Sequence, residues 1–259
     1  MKAVRVARIV GRGVLVSTAA SVLVTAGILA VETAMALGRR YGQPAVGPGM
    51  RATFGPTHAP VLRLAMLGDS TAAGVGVDRV EDTVGGHLAE RLAATGVRVE
   101  LTSAAVSGSG SGDLDPQVAR TLLVEPPDLA VILVGGADVV HATAPSQAAA
   151  ELSAAITRLR DAGTAVVVGT CPELAACRAI AQPLRELVGY AGRRLARAQA
   201  SATRAADGVP VDLGAATGTV FRADPGMLCP DGFHPSADGY RIWSHALYPA
   251  VAALHGSTR

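Results

Sequence analysis

From residue 61 onward, short continuous apolar runs recur five times, separated by longer segments of helical character. The runs are VLRLAML (61–67), VRVEL (97–101), LAVILV (129–134), TAVVVG (164–169) and VPVDL (209–213). They are rich in Val and mostly unbroken rather than alternating with polar residues, the pattern of strands covered on both faces. Helical segments are expected near 82–95, 115–124, 146–162, 180–206 and 236–254. Pro145-Ser146 supplies a start signal for the third of these and Gly163 a stop. The alternation predicts one three-layer α/β/α domain, residues 61–259, around a five-stranded, mainly parallel sheet. No internal repeat and no second domain is apparent. In such sheets ligands gather outside the carboxyl ends of the strands, so loop residues at those ends carry the functional argument.

The chain ahead of this domain has a different character. Lys2, Arg5, Arg8 and Arg12 precede residues 13–31, which carry no charge, and Arg39 and Arg40 follow. As a helix, 19 residues would extend about 28 Å, close to the hydrocarbon thickness of a bilayer. Residues 1–40 are therefore expected to form an N-terminal hydrophobic helix that is either a signal anchor or a signal peptide cut near Ala34-Met35-Ala36. The length of the run favours the anchor. The flanking bases place the N-terminus in the cytoplasm and the body outside, so an exported, membrane-anchored domain is expected, with secretion after cleavage near Ala36 as the alternative. Residues 41–60, rich in Pro and Gly without hydrophobic period, read as a linker.

The net charge of +2 hides an asymmetry: residues 1–60 hold seven bases and one acid, leaving 16 bases against 20 acids in the body. An acidic body without a basic stripe argues against a nucleic-acid partner. Cys171, Cys177 and Cys229 fit no zinc spacing. In an oxidising compartment they allow one disulfide, Cys171–Cys177 or Cys171–Cys229.

Four strand-end motifs carry chemistry. Gly68-Asp69-Ser70 follows the first run and would set a serine at the carboxyl edge of the sheet. After the second run, AAVSGSGSGDL (104–114) interleaves glycines and serines, letting backbone N–H groups approach a substrate oxygen. The third run ends in Gly135-Gly136-Ala137-Asp138. CPDGFHPSADGY (229–240) places Asp231 three residues before His234, a spacing at which a carboxylate can orient an imidazole. The glycine loops match neither a phosphate-binding nor a dinucleotide fingerprint. Asp212, ending the last run, is a rival acid. Of the other histidines, His58 and His87 read as solvent or packing residues, His245 and His255 lack a partner pattern, and His141 can border a pocket at the third strand end.

Taken in order, these motifs resemble the SGNH (GDSL-type) hydrolase superfamily over about residues 61–255, and the exported layout resembles actinobacterial members. The resemblance implies a flavodoxin-like fold and a serine esterase acting on small or acyl carboxylic esters, with no metal or organic cofactor. Ser70 would be the nucleophile, His234 the general base and Asp231 its orienting acid. The backbone N–H groups of Ser70 and Gly108 would form part of the oxyanion hole. One position departs from the pattern: the family's side-chain donor, an Asn, is replaced by Ala137. Loss of one such donor typically costs about 10²–10³ in kcat, so a catalytically weakened or inactive binding protein is the alternative. Thioesterase, acyltransferase and carbohydrate O-acetylesterase activities belong to the same fold.

Overall fold

The structure, a computed structural model, describes residues 47–49, 51–123 and 125–257. Six strands form one sheet: β1 (Arg51–Phe54), β2 (Val61–Gly68), β3 (Arg98–Ser103), β4 (Leu129–Leu133), β5 (Ala165–Gly169) and β6 (Val209–Val211). Their spatial order is β1-β3-β2-β4-β5-β6. β2 to β6 run parallel, and β1 lies antiparallel on β3, from Arg51 opposite Thr102 to Phe54 opposite Val99. Seven α-helices are described: α1 (Val84–Ala93), α2 (Leu114–Leu122), α3 (Gly136–Val140), α4 (Pro145–Asp161), α5 (Leu184–Ala205), α6 (Leu213–Ala223) and α7 (Ala237–Ser257).

The continuous apolar runs are explained by the two cores they serve. Side chains alternate across a strand, so Leu62, Leu64 and Met66 of β2 face one way and Ala65 and Leu67 the other. The first set packs with Leu88 and Leu92 of α1 and with Tyr240, Trp243, Leu247 and Val251 of α7. The second packs with Leu114 and Val118 of α2 and with Leu152, Ile156 and Leu159 of α4. Every residue of β4 and β5 is buried. Thr83 caps α1 by accepting the Gly86 N–H at 3.0 Å, and Pro145 opens α4 at its first turn.

Four expectations change. The sheet has six strands rather than five, because Arg51–Phe54, inside the stretch read as linker, pairs with the open edge of β3. Four residues with one Thr and one Phe carry too little hydrophobic pattern to announce an edge strand. The last strand stops at Val211, since Asp212 caps α6 by accepting the Ala215 N–H at 2.9 Å. α6 itself was not anticipated: Gly214 and Gly218 lower helix propensity, yet they let α6 approach Glu173, whose Cβ would lie 2.8 Å from a Cβ at residue 218. The short α3 was likewise unanticipated. The expected N-terminal hydrophobic helix (1–40) lies outside the described residues. Among the described residues no helix is long and apolar enough to cross a membrane.

Candidate active site

β2 ends at Gly68, and its close approach to β4 dictates that residue. Gly68 has φ +128°, and a Cβ there would lie 1.7 Å from the Leu133 carbonyl oxygen. Asp69 N–H donates to that same oxygen at 2.9 Å. The buried Asp69 carboxylate accepts from Thr71 N–H (2.8 Å) and Thr71 Oγ1–H (2.7 Å). Burial pushes its pKa above the ordinary value, and the Thr71 bonds oppose this only in part. Beyond the turn, Val75 N–H donates to the Ser70 carbonyl at 2.9 Å. The buried Tyr240 hydroxyl of α7 donates to the Val75 carbonyl at 2.6 Å. Ser70 is thus held from both sides of its turn.

The loop before α7 brings His234 and Asp231 to this serine. Asp231 Oδ1 accepts the backbone N–H groups of Phe233 (2.9 Å) and His234 (3.0 Å). Its Oδ2 lies 2.6 Å from His234 Nδ1, and His234 Nε2 lies 3.1 Å from Ser70 Oγ. An ionised carboxylate only accepts hydrogen bonds, so Nδ1 carries the proton and Nε2 is left to accept from Ser70. Burial opposes ionisation of Asp231, but the bonds from His234 and the two backbone amides outweigh it and hold its pKa below the ordinary value. His234 is 3% exposed, which keeps bulk water from competing for its ring. His234 and Ser70 meet here from positions 164 residues apart in the chain.

The glycine-serine loop after β3 borders the same pocket as Ser70 and His234. Val106 N–H donates to the Gly68 carbonyl at 3.1 Å, and Gly108 adopts φ +85°. Among the described residues neither the Ser70 nor the Gly108 backbone N–H has an acceptor, leaving both available to a ligand oxygen. Ala137, at the start of α3, lines the same pocket without a side-chain donor.

Two residues that fasten these loops were given no role in the sequence reading: Gln117, and Asp138 of the third strand-end motif. Gln117, fully buried on α2, accepts from Gly68 N–H (2.7 Å) and donates through Nε2 to the Gly68 carbonyl (2.9 Å) and to Ser109 Oγ (3.2 Å). One side chain thereby ties the Ser70 turn to the glycine-serine loop. Its signal was present: Gln117 stands three residues after Leu114 and one before Val118, on the apolar face of α2. Asp138, 2% exposed, accepts from Ser111 N–H (3.0 Å) and Ser111 Oγ–H (2.8 Å), fastening the same loop to α3. Gln117→Leu, close in volume, would leave the Gly68 amide buried without a partner and the Gly68 carbonyl with the Val106 N–H alone. An unpaired buried amide costs about 1–3 kcal/mol, so a drop in Tm of several degrees is expected in a thermal melt, together with reduced turnover.

The pocket that contains Ser70, Gly108, Ala137 and His234 encloses a cavity of about 220 Å³. It runs along the ends of β4 and β5 toward Leu213, Phe221 and Trp243, and most of its lining is apolar. Glu173 forms part of the wall, its carboxylate paired with Arg193 (3.0 Å) and Arg222 (3.4 Å).

The expected disulfide does not form: Cys171, Cys177 and Cys229 are all free thiols. Cys229 Sγ instead donates to carbonyls of Gly76 and Pro235, each 3.1 Å away. Burial, with the Asp69 charge adding, pushes the Cys171 thiol well up; burial, with Asp231 adding, pushes Cys177 up to about 12. Neither is a thiolate near neutrality. Asp212 caps α6 and makes no bond to His234. His58 is exposed, and His87 lies within α1. Burial and then Arg91 and Arg241 lower the pKa of His245, which is on α7. His141 does border the pocket. Among the described residues no group of three or more His, Cys, Asp or Glu side chains could hold a metal ion.

Comparison with known proteins agrees with this architecture. The family model described as GDSL-like Lipase/Acylhydrolase matches residues 66–242. The chain is 42% identical over 193 residues to the GDSL-like esterase Rv1075c of Mycobacterium tuberculosis (strain ATCC 25618 / H37Rv), covering 73% of this chain and 62% of that protein. It is 31% identical over 110 residues to the esterase TesA of Pseudomonas aeruginosa, covering 42% of this chain and 54% of that protein. The matched segments thus span less than two thirds of either curated relative. Among solved structures, TesA superposes with a TM-score of 0.61 at 24% identity, over 74% of this chain and 99% of that one. A lipase/acylhydrolase from Enterococcus faecalis gives 0.59 at 22% identity, over 74% and 96%. Both likenesses establish the fold.

Proposed function

The chain belongs to the GDSL-like lipase/acylhydrolase family, and from that premise we propose that it hydrolyses carboxylic esters through a Ser70-His234-Asp231 triad. The observation that carries the reading is the unbroken line Ser70 Oγ, His234 Nε2, His234 Nδ1, Asp231 Oδ2, with spacings of 3.1 and 2.6 Å. Ser70 Oγ attacks the ester carbonyl as His234 Nε2 takes its proton. Asp231 stabilises the imidazolium that results. The tetrahedral oxyanion is met by the N–H groups of Ser70 and Gly108. Collapse expels the alcohol, which takes the proton from His234. Water, deprotonated by the same imidazole, then releases the acid from the acyl-enzyme.

The cavity supports an ester with a medium-length acyl chain rather than an acetyl ester as substrate. Its apolar length is continuous with Ser70, and at about 220 Å³ it is smaller than drug-sized pockets, which start near 300 Å³. A chain of a few methylenes fits that space. Each buried methylene contributes about 0.8 kcal/mol, so kcat/KM for p-nitrophenyl hexanoate, with four more methylenes, is expected to exceed that for the acetate by up to about two-hundredfold. Palmitate should fall below hexanoate. A fluorophosphonate probe tests the chemistry itself: it should label the protein, with the adduct found on Ser70 by mass spectrometry. Absence of both labelling and ester turnover would sink the reading and leave a non-catalytic binding protein on this fold.

An exported, membrane-anchored location accompanies this proposal. Its support is the uncharged run 13–31 between clusters of bases. Gly47 is packed so closely on the nucleophile turn that a Cβ there would lie 1.8 Å from the Ala73 carbonyl oxygen. The polypeptide therefore enters the domain beside the catalytic serine. The 16 residues from position 31 to position 47 could reach at most about 55 Å when extended, which would keep the site near a membrane surface.

A further inference from the structure

We propose that His141 donates a hydrogen bond to the developing oxyanion, in the quarter of the site where Ala137 offers no donor; the proposal rests on the esterase reading above. An alkoxide oxygen formed at Ser70 has room for three donors, and the backbone N–H groups of Ser70 and Gly108 account for two. The wall facing them is α3. Its Gly136, Ala137 and Val140, together with His141 directly after it, line the pocket, whereas Asp138 is turned into the protein, where it binds Ser111. The orientation of α3 is fixed by that buried carboxylate and by His141 N–H donating to the Ala137 carbonyl at 2.9 Å.

His141 follows Ala137 by one helical turn, a spacing that puts Cβ atoms about 5–6 Å apart on the same face. Side chains at a helix end lean toward its N-terminus, a direction that would carry the imidazole toward Ala137, and both residues line the pocket. The methyl group there leaves the space that a longer side chain would fill. Neither ring nitrogen of His141 has a partner among the described residues. Among the other polar groups of the pocket, Asp69 is engaged with Thr71, Thr217 Oγ1 with the Leu213 carbonyl, and Glu173 with Arg193 and Arg222, while the buried Thr170 hydroxyl also has no partner among the described residues. An imidazole carries at least one N–H whether neutral or protonated, so it can donate in either state.

The test is a double-mutant cycle between positions 141 and 137, read as kcat and KM on a p-nitrophenyl ester. His141→Ala is expected to lower kcat by about 10²-fold, the typical worth of one oxyanion donor, with KM little changed. His141→Gln, which retains an N–H donor, should recover most of that loss. Introducing Ala137→Asn into the His141→Ala protein should also restore kcat, because either side chain can serve the same oxygen; a merely structural role for His141 predicts no such coupling. Because His141 is exposed, the variants should melt at the wild-type temperature. An unchanged kcat in His141→Ala, or an equal loss with Asn or Ala at position 137, overturns the proposal. Failure of the wild type to turn over any ester or to take up fluorophosphonate would instead remove the esterase reading on which it rests.

Discussion

Replacing Ser70 by alanine is expected to lower kcat by about 10⁴–10⁶-fold, the range seen when a serine nucleophile is removed from a triad. The rest of the site should survive the change. Ser70 Oγ makes one hydrogen bond, to His234 Nε2, and the backbone of the turn is held independently by Asp69 N–H on Leu133 and Val75 N–H on the Ser70 carbonyl. Stability should therefore stay within about 1 kcal/mol of wild type. Substrate should still bind, because the apolar cavity does not depend on the hydroxyl. Turnover measured beside a thermal melt separates the two effects. A Ser70→Ala protein with wild-type stability and more than a tenth of wild-type turnover would exclude Ser70 as the nucleophile.

Asp231→Asn should cost about 10⁴-fold in kcat, and for a different reason. The Asn carbonyl can still accept the Phe233 and His234 backbone amides, as Asp231 Oδ1 does at 2.9 and 3.0 Å. The loop geometry should thus be retained. The amide then turns its NH₂ toward His234 Nδ1, which must become an acceptor. The proton moves to Nε2, and the nitrogen facing Ser70 can no longer take a proton from it. A pH signature accompanies the substitution. The folded-state pKa of Asp231 is held below its ordinary value of 3.8, so the native state binds fewer protons than the unfolded chain. The resulting stabilisation is present above the unfolded value and is lost as pH falls through the folded one. Urea titrations should show wild type more stable than Asp231→Asn at pH 6, with the gap narrowing as pH is lowered below 3.8. A gap that widens in acid would contradict the hydrogen-bonding account of this carboxylate.

The motifs readable in the chain and the side chains that assemble the site differ in kind. Ser70, Asp231 and His234 were legible because each stands in a short local pattern: a strand end followed by small residues, and a carboxylate three residues before an imidazole. Gln117 and Asp138 were not assigned, because their partners, Gly68 and Ser111, lie 49 and 27 residues away. Buried polar groups must be paired, yet nothing local names the partner. The disulfide expectation failed on the same ground. Three cysteines in a chain expected to be exported invite a pair, but the fold buries Cys171 beside Gly135 and Gly192 and turns Cys229 onto two carbonyls.

By itself, the sequence determined that strands and helices alternate, that the strands are covered on both faces, and that a serine must emerge at a strand end. These follow from periodicity and from turn residues, which act over a few positions. Only the tertiary structure decided that Arg51–Phe54 closes the sheet edge, that α6 packs through its glycines onto Glu173, and that His234 reaches Ser70 across 164 residues. It also put His141 on the pocket wall beside Ala137. Such features depend on which surfaces meet when the layers pack, and that is a property of the whole chain rather than of any window within it.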